Sequence, residues 1–237
     1  VGVNALATLN FNGNGLNTGV GYAAGASIST GVQNTLIGGQ AGDALTTGSG
    51  NVAIGYDALS AEDSHGRNVA IGYLTLQSQN AGAEAYNVAV GYNTGNAVTT
   101  GTLNTLIGGL AGDALTTGAQ NTAIGHEALS TEDTGARNTA IGEGSLKTLN
   151  FNGNGYNVAV GYNSGHLVST GIQNTIMGSL AGDALTTGSN NVAIGYAALG
   201  SEDTGSKNIA IGQNALNNLN YDGNGYNVAI GHEAGVS

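Results

Sequence analysis

The sequence predicts an all-β protein, a parallel β-solenoid built from short repeated coils, and three observations lead there. The pentapeptide Asn-(Thr/Val/Ile)-x-(Ile/Val/Met)-Gly recurs with its Asn at 17, 34, 51, 68, 87, 104, 121, 138, 157, 174, 191, 208 and 227. Its spacings run 17, 17, 17 and 19 three times over, so four units make a 70-residue super-repeat. Such periodicity marks an architecture in which each unit is one coil stacked on the next. The composition agrees: 43 Gly, no Pro, Trp or Cys, only 2 Phe and 8% charged residues leave a thin core of Val, Ile, Leu and Ala.

Each unit reads as a short strand, such as Asn51–Gly55 (NVAIG), then a bend, a second short strand and another bend. Val, Ile and Thr are stiff, strand-favouring residues, and a Gly closing every pentapeptide disfavours a helix. Stacked in register about 4.8 Å apart, the 13 rungs make a rod on the order of 60 Å long. The reading is one solenoid domain over 1–237, with super-repeats 17–86, 87–156 and 157–226 and partial rungs at both ends. The chain starts at Val1, in mid-repeat, and is expected to belong to a longer protein.

Side chains alternate along a strand. With Asn as position zero, positions one and three (Val52 and Ile54, Thr122 and Ile124) are assigned to the interior of the coil. Position two (Ala53, Ala70, Ala89, Leu106, Ala123, Ile176) is then assigned to the outside, although it is never polar. Both faces are apolar, as in strands buried on both sides. A continuous outward stripe of this kind marks an interface, so several copies are expected to pack side by side.

Two rung types differ after the strand. In the Asn104 rung, position eight is Gly112 and the next large apolar residue is Leu115, followed by Thr116, Thr117 and Gly118. In the Asn121 rung, position eight is Leu129 and the glycine is gone. The core leucine therefore moves by three residues between pairs of rungs, and the outer bends change shape with it.

A formal charge of −11 with four basic residues disfavours nucleic acid and anionic membranes as partners. Zero cysteine removes disulfides and thiolate metal sites. No apolar run approaches the roughly 20 residues of a membrane span, and no signal peptide is visible.

The stretches NVAIGYDAL, NTAIGHEAL and NVAIGYAAL resemble the NxAIG repeats of YadA-type trimeric autotransporter adhesin heads. They are closer still to the NTAIGYxAL arrays of phage tail fibres and related surface proteins. The resemblance covers essentially the whole chain. It implies a left-handed parallel β-roll, three chains around one axis, and a fibre or adhesive head as the product. The adhesin-head repeat is nearer fourteen residues, whereas these units have 17 and 19.

Several stretches invite chemistry. Gly108–Asp113 (GGLAGD) is glycine-rich, but it lacks both the Gly-x-Gly-x-x-Gly spacing and a Walker Lys, and no helix follows it. It reads as a tight bend. The loops at Leu9–Gly15, Leu149–Gly155 and Leu219–Gly225 echo calcium loops, but Asp222 is their one carboxylate where calcium needs several. Asn and Gly there suit turns. The pairs Glu62-Asp63, Glu132-Asp133 and Glu202-Asp203 recur every 70 residues and read as a solvated acidic edge, with a weak divalent-ion site between chains as the other reading. His65, His126, His166 and His232 lack ligand spacing and read as surface positions. Tyr at position five (Tyr22, Tyr56, Tyr73, Tyr92, Tyr162, Tyr196) reads as a ring packed over the glycine of the next rung, or as a carbohydrate-stacking ladder. Thr-Thr-Gly, or Ser-Thr-Gly in its place, occurs on only two rungs of each four, too few for the flat threonine plane of an ice-binding solenoid.

No catalytic, cofactor-binding or metal-ligating residues are assigned. The functional expectation is a structural and adhesive segment of a homotrimeric fibre outside the cell, most closely a phage tail fibre on the virion. Its expected partners are itself, other fibre or virion proteins, and a cell-surface glycan or protein receptor. The alternatives are a bacterial surface adhesin head binding host matrix or glycans, and a polysaccharide depolymerase spike. The last needs an active site as a local break in the repeat.

Overall fold

The computed structural model describes residues 2–10 and 13–236. The described residues form an all-β parallel solenoid with 13 three-residue strands and no helix. The chain divides into two compact units, Val1–Gln120 and Asn121–Ser237. The first holds β1 (Thr18–Val20), β2 (Thr35–Ile37), β3 (Val52–Ile54), β4 (Val69–Ile71), β5 (Val88–Val90) and β6 (Thr105–Ile107). The second holds β7 (Thr122–Ile124), β8 (Thr139–Ile141), β9 (Val158–Val160), β10 (Thr175–Met177), β11 (Val192–Ile194), β12 (Ile209–Ile211) and β13 (Val228–Ile230).

Within each unit every strand pairs in parallel with the next, and equivalent positions lie opposite each other. Val52 faces Val69 and Val69 faces Val88 in the first unit, and Thr139 faces Val158 in the second. The 19-residue turns therefore keep the register of the 17-residue ones, their two extra residues being taken up away from the strand.

The second strand expected in each turn does not form. The remainder of each turn is a chain of bends, with isolated bridges at Ala136–Asn154 and Ser206–Asn224. Left-handed residues at positions six and eight, such as Asp57 (φ 51°) and Leu59 (φ 53°), keep the backbone curling where a strand would run straight. The bends are still bonded turn to turn: the Gly25 amide donates to Ala41 O at 2.9 Å and the Leu59 amide to Thr75 O at 3.0 Å.

Two residues enforce the coil. The Asn at position zero clips it shut: Asn34 Nδ2 donates to Gly48 O of its own turn at 2.9 Å. Its Oδ1 accepts the main-chain amide of Asn51, one turn on, at 2.9 Å. The same pair of bonds recurs at Asn87, Asn121, Asn157 and Asn174. The expected amide-to-amide ladder is the lesser part, with Asn34 Nδ2 to Asn17 Oδ1 at 3.1 Å as one example. The Gly at position four lets turns stack closely: at Gly55 (φ 141°) an added Cβ would run into the carbonyl of Gly72.

The core is one side chain thick, and its positions complement one another. Position two is fully buried in all but the first and last strands' surroundings, from Leu36 and Ala53 to Ile176 and Ala210. Where it is Leu, position eight is Gly: a Cβ on Gly112 would sit 2.9 Å from Leu106 Cδ2 and 2.9 Å from Leu115 Cδ1. Where it is Ala, as at Ala123, position eight is the buried Leu129. The turn with Ala89, Gly95 and Val98 is under-filled by itself, and leucines of adjacent turns close the gap. A Cβ on Gly95 would meet Leu106 at 2.7 Å and Leu76 at 3.0 Å. This is close packing achieved with small parts.

Candidate interaction surface

The strand alternation is the reverse of the sequence expectation. Position two points into the coil, and positions one and three point out, half-buried or exposed in every strand. The reason is size. The interior accommodates one Ala, Leu or Ile beside the residues at positions seven, eight and eleven, and two large side chains from positions one and three do not fit there together. The outward stripe is thus made of Val, Thr or Ile at position one and Ile, Val or Met at position three. Val20, Ile37 and Ile107 in the first unit, and Val158 and Met177 in the second, are among its most exposed members.

Aromatic residues border this stripe. In the first unit Tyr56, Tyr73 and Tyr92 stack on consecutive turns, with ring centroids 5.6 Å apart in both steps and interplanar angles of 17° and 5°. Tyr73 has a ring against each face, while Tyr56 and Tyr92 each stack on one side only. Packing over glycine also occurs, though on the preceding turn: a Cβ on Gly39 would touch Tyr56 Cδ2 at 3.3 Å.

On the other side runs the residue before each Asn, held in the left-handed region throughout. Leu16 (φ 52°), Arg67 (φ 64°), Tyr86 (φ 53°) and Leu103 (φ 61°) are examples in the first unit, Arg137 (φ 63°) and Tyr156 (φ 51°) in the second. Three cation–tyrosine pairs sit here at 70-residue intervals. Arg67 lies 5.5 Å from the Tyr86 ring centroid, Arg137 5.6 Å from Tyr156, and Lys207 5.1 Å from Tyr226. Each cation also donates to the tyrosine hydroxyl. These pairs engage three of the chain's four basic residues. The fourth, Lys147, donates to Glu127 Oε2 at 2.6 Å and holds that carboxyl below its ordinary range.

The acidic pairs are not a solvated edge. Glu62, Glu132 and Glu202 are fully buried at position eleven, the place Leu45, Leu115 and Leu185 occupy one turn earlier, and only their Asp neighbours reach solvent. Glu132 Oε1 accepts the Gly135 amide at 2.8 Å and Oε2 the Phe151 amide at 3.3 Å. Glu202 repeats this with Gly205 at 2.8 Å and Tyr221 at 3.3 Å. Glu62 Oε1 accepts the His65 amide at 3.0 Å, while its buried Oε2 has no hydrogen-bond partner. The Ala81 amide is near enough to favour the ionised form without reaching hydrogen-bond geometry. Burial pushes the carboxyls of Glu62 and Glu132 up, against the opposing pull of these amides. A carboxylate bonded to main-chain amides was not foreseeable from composition; the signal was its alignment with a core leucine.

Other flagged residues fall as follows. Gly108–Asp113 is a bend, with Gly112 at φ 55°. Of the Leu9–Gly15 loop, Phe11 and Asn12 lie outside the described residues. In the Leu219–Gly225 loop, Asp222 accepts from Thr204 Oγ1 at 2.7 Å. The first Thr of each pair turns back to the coil, as Thr46 Oγ1 does to Asp63 O at 3.0 Å, so one threonine per turn faces out. His126 and His232 are exposed beside Glu127 and Glu233, His166 Nδ1 is 3.3 Å from Gly144 O, and His65 is half-buried beside Glu62. A hollow of about 780 Å³ at the last turn is lined by Leu216, Leu219, Tyr221 and Ala229, the exposed cross-section of the core. Among the described residues no helix is long and apolar enough to cross a membrane.

No family model, curated protein or solved structure matches the chain.

Proposed function

We propose that this chain is a structural segment of an extracellular homotrimeric fibre, most closely the shaft of a phage tail fibre that presents a receptor-binding tip. Three left-handed coils run in parallel about one axis, and the outward strand stripe of each packs against the others. The observation that carries this reading is the unbroken apolar stripe within each unit, with Ile54, Ile71 and Val90 in line and tyrosines along its border. Stripes of that extent on a soluble surface are covered by another protein surface. The resemblance to NxAIG fibres supplies the number three and the handedness.

Sedimentation equilibrium tests the reading. The wild-type chain is expected at three times its 23.2 kDa mass. Ile71→Glu and Ile194→Glu, on the stripes of the two units, are expected to give folded monomers. A wild-type chain that stays monomeric at about 10 μM, where interfaces of standard size with micromolar or tighter affinity are populated, sinks the proposal.

A further inference from the structure

The three super-repeats supply internal controls for one another, and one corner departs from the pattern in two coupled ways. In the second and third copies, the buried Glu at position eleven has both carboxylate oxygens satisfied by main-chain amides, and position fourteen is Gly135 or Gly205. In the first copy the following turn carries QSQNAGAEAY in place of the Asn/Gly loop, and the Ala81 amide, the counterpart of the Phe151 and Tyr221 amides, lies near the carboxylate without reaching hydrogen-bond geometry to Oε2. Position fourteen is His65 in that same copy. A fully buried, unpartnered carboxylate oxygen and an added imidazole have therefore appeared together in a molecule that otherwise repeats itself.

Asp63 completes the group. One ligand atom each from Glu62, Asp63 and His65 lies within 4.8 Å of the others. His65 Nδ1 is 3.8 Å from Glu62 Oε1, and Ser64 Oγ bridges the cluster, donating to Asp63 Oδ1 at 2.7 Å and lying 3.1 Å from His65 Nδ1. Two carboxylates and one imidazole converging on a half-open corner are the donor set of a three-ligand divalent transition-metal site with room for water. Calcium and magnesium are disfavoured, since they take oxygen donors almost exclusively.

We propose that Glu62, Asp63 and His65 bind a divalent transition-metal ion of the zinc class, and that the other two copies bind none. Small side-chain rotations bring the three donors to the roughly 2.0–2.2 Å that such an ion requires. The site rests on the internal comparison of the copies and stands or falls apart from the fibre reading.

The test is calorimetric titration of the full chain with Zn²⁺, repeated with Co²⁺ so that the visible absorption reports the ligands. Wild type is expected to bind one ion per chain, with a cobalt spectrum containing a nitrogen donor. His65→Gly restores the residue found at positions 135 and 205, so it preserves the fold, which circular dichroism checks. It is expected to weaken binding about tenfold or more, since losing a ligand costs at least what losing its supporting partner does. Asp63→Asn should weaken it similarly and His126→Gly should leave it unchanged. Absence of one-to-one binding, or equal affinity in wild type and His65→Gly, overturns the proposal.

Discussion

The side-chain oxygen of Asn34 accepts the main-chain amide of Asn51 at 2.9 Å, and the same side chain donates to Gly48 O at 2.9 Å. One buried amide therefore both closes its own coil and holds the next. Asn34→Ala is expected to lower stability by about 2–4 kcal/mol, because it strands a buried amide and a buried carbonyl together. Urea unfolding of variant and wild type measures the difference. A loss below about 0.5 kcal/mol would show that water satisfies both groups.

Leu106 and Gly112 form a size pair. Gly112→Leu alone is expected to cost about 3 kcal/mol or more, since its Cβ would meet Leu106 and Leu115 at 2.9 Å each. Adding Leu106→Ala recreates the Ala123–Leu129 arrangement of the next rung type and is expected to recover part of the loss, with Leu115 the remaining obstacle. Leucine itself is tolerated there, Leu129 having φ 54°. A double-mutant cycle reads the coupling; additive effects would refute the pairing.

Glu132 makes stability depend on pH in an unusual direction. Its folded-state carboxyl sits above the ordinary value because burial disfavours the charge. The ionised form therefore costs stability at neutral pH, and that cost is relieved as pH falls through the folded value toward the unfolded one. The wild-type stability difference between pH 7 and pH 5 is expected to shrink in Glu132→Gln, which retains an acceptor for the Gly135 amide. An unchanged difference, measured by urea unfolding at both values, assigns the pH response to other groups.

Leu103 separates folding from assembly. It is 51% exposed and holds φ at 61°, a conformation that costs an L-residue about 1–2 kcal/mol. Leu103→Gly is expected to stabilise the isolated coil by about 1 kcal/mol and to weaken self-association, because the side chain borders the strand stripe. Thermal unfolding of the Ile71→Glu monomer background gives the first quantity, and sedimentation the second. Loss of both stability and association would place Leu103 in the core instead.

Much of this was legible in the residues themselves. The 13 Asn-to-Gly pentapeptides coincide with the 13 strands among the described residues, and their spacing carried the register. Which face is inside was not legible, because Val52 and Ile54 are as apolar as Ala53 and alternation alone separates two sets without ranking them. The bore of the coil decides it, and that depends on the bend. The second strand failed for a related reason: Leu59 and Leu129 look like strand residues yet sit at left-handed φ. Glu62, Glu132 and Glu202 misled because a carboxylate is expected in solvent, while main-chain amides at the bend hold it within.

The register of the ladder has a genetic corollary. Val69 stands beside Val88 as Thr139 stands beside Val158, each across a 19-residue turn. Removing residues 87–156 would bring Val158 to the place of Val88, with Asn, Gly and core leucine columns unbroken. Unequal recombination between the repeats would lengthen or shorten the product by whole blocks of 70 residues without a frame to repair. A chain with that deletion is expected to fold with the circular dichroism of the parent. Length, for this molecule, is then a heritable quantity that selection can adjust in discrete steps.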